Sequence, residues 1–133
     1  MKKFLSIITI IIISLSLAAC GAKNPASNSN TATSKTKITY TKDFTYLPSY
    51  NGIKSTQYTP PTKKTSLATA RYTINNTTDT KVFENYENTL KQDGWTITNA
   101  QKYFAISAKK GTHTANILIQ KAGKNVLLVV ISK

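Results

Sequence analysis

The feature that most constrains the fold is a change of hydrophobic period in the second half of the chain. Residues 66–74 (SLATARYTI) alternate between apolar and polar side chains, which is typical of a half-buried β-strand. Residues 79–92 (DTKVFENYENTLKQ) instead repeat their apolar side chains at the spacing of a helix with one buried face. The apolar residues of that face are Val82, Phe83, Tyr86 and Leu90. Alternation returns after residue 94, so the pattern predicts a single amphipathic helix set among strands.

Six strands are predicted around this helix, and the four that follow it are joined by short turns containing Gly or Asn, as in an antiparallel meander. The predicted strands are 53–58, 66–74, 95–100, 103–109, 113–120 and 126–132. The element order is therefore β-β-α-β-β-β-β, and the fold class is α+β. We expect a two-layer sandwich, in which the helix covers one face of a mostly antiparallel sheet.

Both ends of the helix carry recognisable signals. Asp79 or Thr80 is expected to cap the N-terminus, and Gly94 suits the left-handed position after the last turn. Trp95 follows that glycine directly and is expected to fold back over the helix. The predicted seam between helix and sheet contains Phe83, Tyr86, Leu90, Trp95 and Phe104.

The last predicted strand does not alternate. Residues 126–131 (VLLVVI) are apolar on both sides, which favours a central strand covered on both faces. The alternative is a strand whose second side belongs to an association surface.

The N-terminus has a different composition from the rest of the chain. Lys2 and Lys3 precede fourteen uncharged residues at 4–17 (FLSIITIIIISLSL). As a helix this run spans about 21 Å, which is short of the ~30 Å hydrocarbon core of a bilayer. A basic start, a short apolar run and small residues form the layout of a secretory signal peptide, predicted over 1–19. A short buried core helix is the alternative, which the small residues Ala18 and Ala19 disfavour.

The end of this segment resembles a known processing site. Leu17-Ala18-Ala19-Cys20 is similar to the lipobox of bacterial lipoproteins. The resemblance implies that the Cys20 sulfur receives a diacylglycerol group and that the preceding peptide bond is cut. Two acyl chains satisfy the requirement for stable anchoring. The expected location is therefore the extracytoplasmic face of the cell membrane, and no second cysteine is left for a disulfide.

Three regions are predicted along the chain: the signal peptide at 1–19, the lipidated cysteine with a flexible tether at 20–46, and a small domain at 47–133. Residues 21–37 (GAKNPASNSNTATSKTK) are small and polar and lack aromatic residues, so they offer little to offset the entropy of ordering. Residues 38–46 (ITYTKDFTY) alternate enough to form a strand. Whether they belong to the tether or to the sheet is left open by the sequence.

The region from 47 to 133 resembles a type of small extracytoplasmic domain found in bacterial lipoproteins. The resemblance rests on LPSYNG at 47–52, ARYTI at 70–74 and VFENYENTLKQDGW at 82–95. It implies a Pro-Tyr-Gly turn that opens the domain and a helix whose Gly-Trp end leads into a meander. Asn51 stands where Pro is more usual, so a looser opening turn is expected. The resemblance implies no activity.

Candidate catalytic groups are scarce. The only histidine, His113, lies at the start of a predicted strand, where a solvated edge position is expected. One histidine, one cysteine and no cluster of carboxylates exclude the usual zinc sets, and no glycine-rich phosphate loop is present. No metal or cofactor is predicted. A Ser/Lys nucleophile remains open as the basis of a small hydrolase, but we expect a protein that is not an enzyme.

Charge provides the functional hypothesis. The chain has 18 Lys and Arg against five Asp and Glu, and four of the five acids lie in or beside the helix. We therefore expect a basic sheet surface that faces anionic lipid or wall polymer. The candidate residues are Lys54, Lys63, Lys64, Arg71, Lys102, Lys109, Lys110, Lys121 and Lys124.

Three other interpretations of the basic surface are open. It can be a general property of envelope proteins without a specific partner. It can belong to an inhibitor or accessory subunit of a secreted protein or envelope complex, which would use the apolar last strand. Nucleic acid is disfavoured, since only Tyr58 and Tyr103 are available as stacking platforms.

The lipobox generates the first prediction. Cys20→Ser removes the only thiol that accepts the lipid, so the protein is expected to leave the membrane fraction. Fractionation of cells followed by mass spectrometry of the mature N-terminus measures this. Detection of an unlipidated mature form that is normally secreted would contradict the assignment.

Overall fold

The computed structural model describes residues 37–133. The signal peptide predicted over 1–19, the lipidation site Cys20 and residues 21–36 of the predicted tether lie outside the described residues, and the statements about them stay predictions. Within residues 37–133, no helix is long and apolar enough to cross a membrane.

The described part is an α+β structure with one helix and a mostly antiparallel six-stranded sheet, as the sequence predicts. A single 3₁₀ turn at Tyr50–Gly52 precedes the first strand. The strands are β1 (Gln57–Thr59), β2 (Ala68–Ile74), β3 (Thr96–Gln101), β4 (Ala105–Lys110), β5 (His113–Ala122) and β6 (Asn125–Ser132), and helix α1 (Asp79–Gln92) lies between β2 and β3. The first strand, predicted over 53–58, spans only Gln57–Thr59, and Ser55 before it donates its side-chain hydroxyl to Asp43.

The sheet has the strand order β1-β2-β6-β5-β4-β3, and every neighbouring pair is antiparallel. Strands β3 to β6 form the predicted meander. Gly111 and Gly123 begin the two-residue turns on either side of β5, with φ of 58° and 64°, a conformation that glycine adopts without strain. Helix α1 carries the chain from β2 to the opposite edge, and the meander returns it so that β6 pairs with β2.

The predicted N-cap of α1 is wrong, whereas the predicted left-handed glycine after its last turn is confirmed. Thr78 is the N-cap: its backbone is extended, and its side-chain oxygen accepts the N–H of Lys81. Asp79 and Thr80 already lie inside the first turn, which excludes them as caps. At the other end Gly94 has φ of 82°. The N–H of Gly94 bonds to the Lys91 carbonyl and that of Trp95 to the Leu90 carbonyl, which together form a Schellman motif.

Two parts of the chain pack against the buried face of the sheet and form a second layer there. Helix α1 contacts β3, β4 and β5. The region near β1 is covered instead by the segment before the 3₁₀ turn, where Phe44 packs edge-on against Tyr58 of β1 at 5.9 Å between ring centroids. Phe44, Leu47 and Tyr50 are all buried. Residues 38–46, which the sequence left open, thus pack with the domain.

Tyr86 joins the two parts of this layer. Its ring is buried on α1, and its hydroxyl donates a hydrogen bond of 2.8 Å to the Pro48 carbonyl. Its ring also meets that of Tyr50 edge-on at 6.0 Å. The segment is held further by an isolated bridge between Tyr40 and Pro48.

Two expectations about apolar residues change in the structure. Phe104 does not lie in the seam: it sits in the turn between β3 and β4 and is 56% exposed. Strand β6 is central, as predicted, but it is covered on one face only. Val126, Leu128 and Val130 are buried, whereas Leu127, Val129 and Ile131 are half-buried on the other face.

Tyr86→Phe tests the link between the two parts of the buried layer. Removing the hydroxyl leaves the Pro48 carbonyl without its partner, so the free energy of unfolding is expected to fall by about 1–3 kcal/mol. Urea denaturation measures the change. Tyr103→Phe is the matched control, because Tyr103 is exposed, and its effect is expected to stay within about 0.5 kcal/mol. Equal effects of the two substitutions would contradict the assignment.

Candidate functional site

One face of the sheet carries no second layer in the described residues, and we call it the open face. The strand register shows which side chains lie in one row across this face, since paired residues of antiparallel strands point to the same side. One row joins Arg71 of β2, Val129 of β6 and Leu118 of β5. The remaining members on these strands and β4 are Thr69, Thr73, Ala105, Ser107, Lys109, Thr114, Asn116, Gln120, Ala122, Asn125, Leu127 and Ile131.

The open face has apolar side chains at its centre. Leu118 is 39% exposed, and its neighbours Leu127, Val129 and Ile131 are half-buried without an element above them in the described residues. Hydroxyl and amide side chains surround this centre. Thr69 and Thr73 of β2 lie on this face beside the apolar side chains of β6.

All five acids of the chain lie away from the open face. Asp79 and Glu84 belong to α1, where Asp79 accepts the N–H of Thr80. Glu87 pairs with Lys91 at 2.8 Å. Asp43 accepts the Ser55 hydroxyl in the N-terminal segment.

Asp93 is the most heavily engaged acid. Its side chain accepts the Tyr40 hydroxyl, the Trp95 indole N–H at 3.1 Å and the Lys110 ammonium at 3.0 Å. The three partners connect the end of α1 with the N-terminal segment and with β4. Negative charge is therefore confined to the second layer and its border.

The nine predicted basic residues do not form one patch. Arg71 and Lys109 lie on the open face, but Lys110 is paired with Asp93. Lys63 and Lys64 are exposed between β1 and β2, and Lys102 is exposed between β3 and β4.

The strand register sets the spread of the remaining charges. Lys109 pairs with Thr114 near one end of β5, whereas Lys121 pairs with Val126 near the other end, beside Lys124. Because Val126 is buried, Lys121 points to the side of the sheet that carries α1, so the basic residues are spread over the molecule rather than gathered on the open face. Lys54 stands apart from them, in a cleft of the second layer.

That cleft, which we call the N-terminal cleft, has a volume of about 870 Å³ and was not anticipated from the sequence. Its lining includes Tyr40, Thr41, Lys42, Asp43, Lys54 and Tyr58. The only hint in the sequence is the run of aromatic residues at 40–46 around Asp43, the one acid outside the helix region. The cleft depends on the packing of a segment whose place could not be fixed by pattern alone.

Two tyrosine rings are accessible at the cleft, and both stay neutral. Tyr40 is 48% exposed and Tyr58 is 36% exposed. The hydrogen bond to Asp93 raises the pKa of Tyr40 above its usual value. Partial burial, together with the charge of Asp43, raises the pKa of Tyr58.

Behind the cleft lies Tyr72 of β2. Burial, followed by the charge of Asp43, raises the pKa of Tyr72 to about 12, and the nearby Thr41 hydroxyl offsets part of this shift. The Thr41 and Tyr72 hydroxyls do not meet hydrogen-bond geometry, so Thr41 Oγ1 is buried without a partner. Burial also raises the pKa of Tyr86.

His113 is not the solvated edge residue that the sequence suggests. It is half-buried and stacks on Tyr46, with ring centroids 3.9 Å apart and an angle of 9° between the planes. Its Nδ1 lies 3.2 Å from the Lys133 carbonyl oxygen. In the part of the chain that the structure describes, no three His, Cys, Asp or Glu side chains are grouped closely enough to hold a metal ion.

Comparison with known protein families, curated proteins and solved structures finds no match to the chain. The resemblance of residues 47–133 to a lipoprotein domain stays a prediction.

Because of its buried tyrosines, the folded protein is expected to lose stability at alkaline pH. Because the folded state holds the pKa of Tyr72 near 12, above the ordinary value of 10, its contribution to stability is complete below pH 10 and is lost as the pH rises toward 12. The free energy of unfolding is expected to fall across this window. Tyr72→Phe, measured by urea denaturation at pH 9 and 11, should show a smaller fall than the wild type. An identical fall in both proteins would contradict the assignment to Tyr72.

Proposed function

We propose that this chain is a lipid-anchored, non-enzymatic component of the cell envelope that binds anionic lipid or wall polymer through the open face. In this proposal the domain is a two-layer sandwich, with α1 and the N-terminal segment on one side of the sheet. The lipid on Cys20 would hold the domain at the extracytoplasmic surface of the membrane. The observation that carries the proposal is the absence of all five acids from a face that bears Arg71 and Lys109.

Electrostatics supports a surface rather than a pocket as the partner. The exposed lysines at 63, 64, 102 and 124 lie in connections between strands, so positive charge is distributed along the sheet. Each basic residue close to an anionic membrane contributes about 1 kcal/mol, and this falls off within a Debye length of about 8 Å. Distributed charge of this kind suits an extended anionic surface, whose own charges are also distributed.

A protein partner is the second candidate, and the apolar centre of the open face favours it. Leu118, Leu127, Val129 and Ile131 present a continuous apolar stripe across β5 and β6. Such side chains are typical of the central region of an interface between proteins. An inhibitor or accessory subunit would use this stripe. The two candidates differ in their dependence on salt, since apolar contacts survive ionic strengths that screen surface charge.

Substitution of the two basic residues on the open face tests the proposal. In a Cys20→Ser background, so that no acyl chain contributes, Arg71→Gln combined with Lys109→Gln is expected to weaken binding to phosphatidylglycerol vesicles about tenfold to thirtyfold. Sedimentation with the vesicles at 50 and 500 mM salt measures the change. The same comparison is made with a phosphate-bearing wall polymer.

Lys81→Gln combined with Lys91→Gln removes the same charge from α1 and serves as the control. Its binding is expected to exceed that of the open-face variant. Equal losses in the two variants, or binding that does not change with salt, would overturn the basic open face as the binding surface. A salt-resistant complex recovered from membranes by crosslinking would favour the protein partner.

A further inference from the structure

The N-terminal cleft has the chemistry of a ligand site that is separate from the open face. Its volume of about 870 Å³ lies within the range of small-molecule sites in proteins. It is formed between the segment 40–43, the residues after the 3₁₀ turn and strand β1. Tyr58 lies on the same side of the sheet as Phe44, so the cleft belongs to the second layer.

The backbone is closely packed at one wall of the cleft. Asn51 and Gly52 both have positive φ, of 48° and 72°. A Cβ atom at position 52 would lie 3.2 Å from Thr39 Oγ1, so the backbone approaches closely there. Thr39 in turn bonds through its carbonyl to the N–H of Ser49 at 2.8 Å.

Two kinds of contact are offered to a ligand. The exposed rings of Tyr40 and Tyr58 provide flat apolar surfaces with negative faces, on which the C–H groups of a sugar ring pack favourably. Between them stand the polar groups of the N-terminal segment. The Asp43 carboxylate accepts from the Ser55 hydroxyl and keeps further acceptor sites. Acceptors and hydroxyls of this type pair with the hydroxyls of a saccharide.

The charge of the cleft favours a ligand that carries an anionic group. Lys42 and Lys54 both line the cleft, and neither lies within 4.0 Å of a carboxylate among the described residues. Two ammonium groups against the single carboxylate of Asp43 leave an excess of positive charge. An anionic substituent on the ligand would neutralise this positive charge, whereas a neutral sugar would leave the charge uncompensated.

We propose that the N-terminal cleft binds an acidic saccharide, that is, a sugar unit that carries a carboxylate or a phosphate. Tyr40 and Tyr58 contact the ring faces, Asp43 binds hydroxyl groups, and Lys42 and Lys54 bind the acidic group. The site does not depend on the open face, so its test is independent of the function proposed above.

Titration calorimetry with the full chain tests the site. Tetragalacturonate is compared with neutral maltotetraose, and glucose 6-phosphate with glucose, to separate carboxylated from phosphorylated ligands. At least one acidic sugar is expected to bind ten times or more tightly than its neutral counterpart. Fluorescence of Trp95 provides a second signal, because its indole and the Tyr40 hydroxyl share the Asp93 carboxylate.

Matched variants separate the cleft from general charge. Lys42→Gln combined with Lys54→Gln is expected to weaken acidic-sugar binding at least tenfold, whereas Lys81→Gln combined with Lys91→Gln on α1 leaves it unchanged. Tyr58→Leu is expected to weaken binding as well, and circular dichroism shows whether it folds. If it does not fold, the lysine variants alone decide.

Four results would overturn the proposal: no binding of either acidic sugar, equal binding of acidic and neutral sugars, equal losses in the two lysine variants, or competition by inorganic phosphate at the same concentration as the sugar. The last result would show that the site holds an anion without using the rings of the tyrosines.

Discussion

The architecture of the described residues follows from a difference in width: one helix is too narrow to cover a sheet of six strands. Strands spaced about 4.8 Å apart make a sheet of this size roughly 24 Å wide, whereas a helix with its side chains is about 10–12 Å across. Among the strands, helix α1 accordingly packs mainly on β3, β4 and β5. The rest of the buried face needs a second cover, and the N-terminal segment supplies it through Phe44, Leu47 and Tyr50. The hydrogen bond from Tyr86 to Pro48 fixes the two covers to each other.

Local pattern was enough to predict the elements but not their partners. The helical period over 79–92 matches the bounds of α1, and the returning alternation identifies the meander. The pairing of β6 with β2 joins residues more than fifty positions apart, and nothing in either strand specifies the other. The same holds for residues 38–46: they become a cover only because a strip of the sheet is left bare by the helix. The prediction that Phe104 is buried between helix and sheet was wrong, because Phe104 lies in a turn where no neighbouring residues bury it.

The candidate sites differ in how far the sequence could anticipate them. The uneven distribution of acids is visible in the chain, and it carries over to the structure because the helix that holds most of them lies on one side. The N-terminal cleft could not be anticipated, since its walls come from three separate stretches that meet only after packing. The pairing of Lys110 with Asp93 was hidden for a similar reason: the two residues are adjacent only once β4 lies beside the end of the helix.

The central place of β6 has a consequence for the order of assembly. It is the last strand in the chain and the one that joins β2 to the meander. Before residues 125–132 are available, no strand pairs β2 with the group of β3, β4 and β5. Contacts between distant parts of a chain are also slow to form, because loop closure comes before the gain from pairing. For a chain that is threaded across a membrane from its N-terminus, as the first nineteen residues predict, this arrangement delays folding until the final strand has crossed.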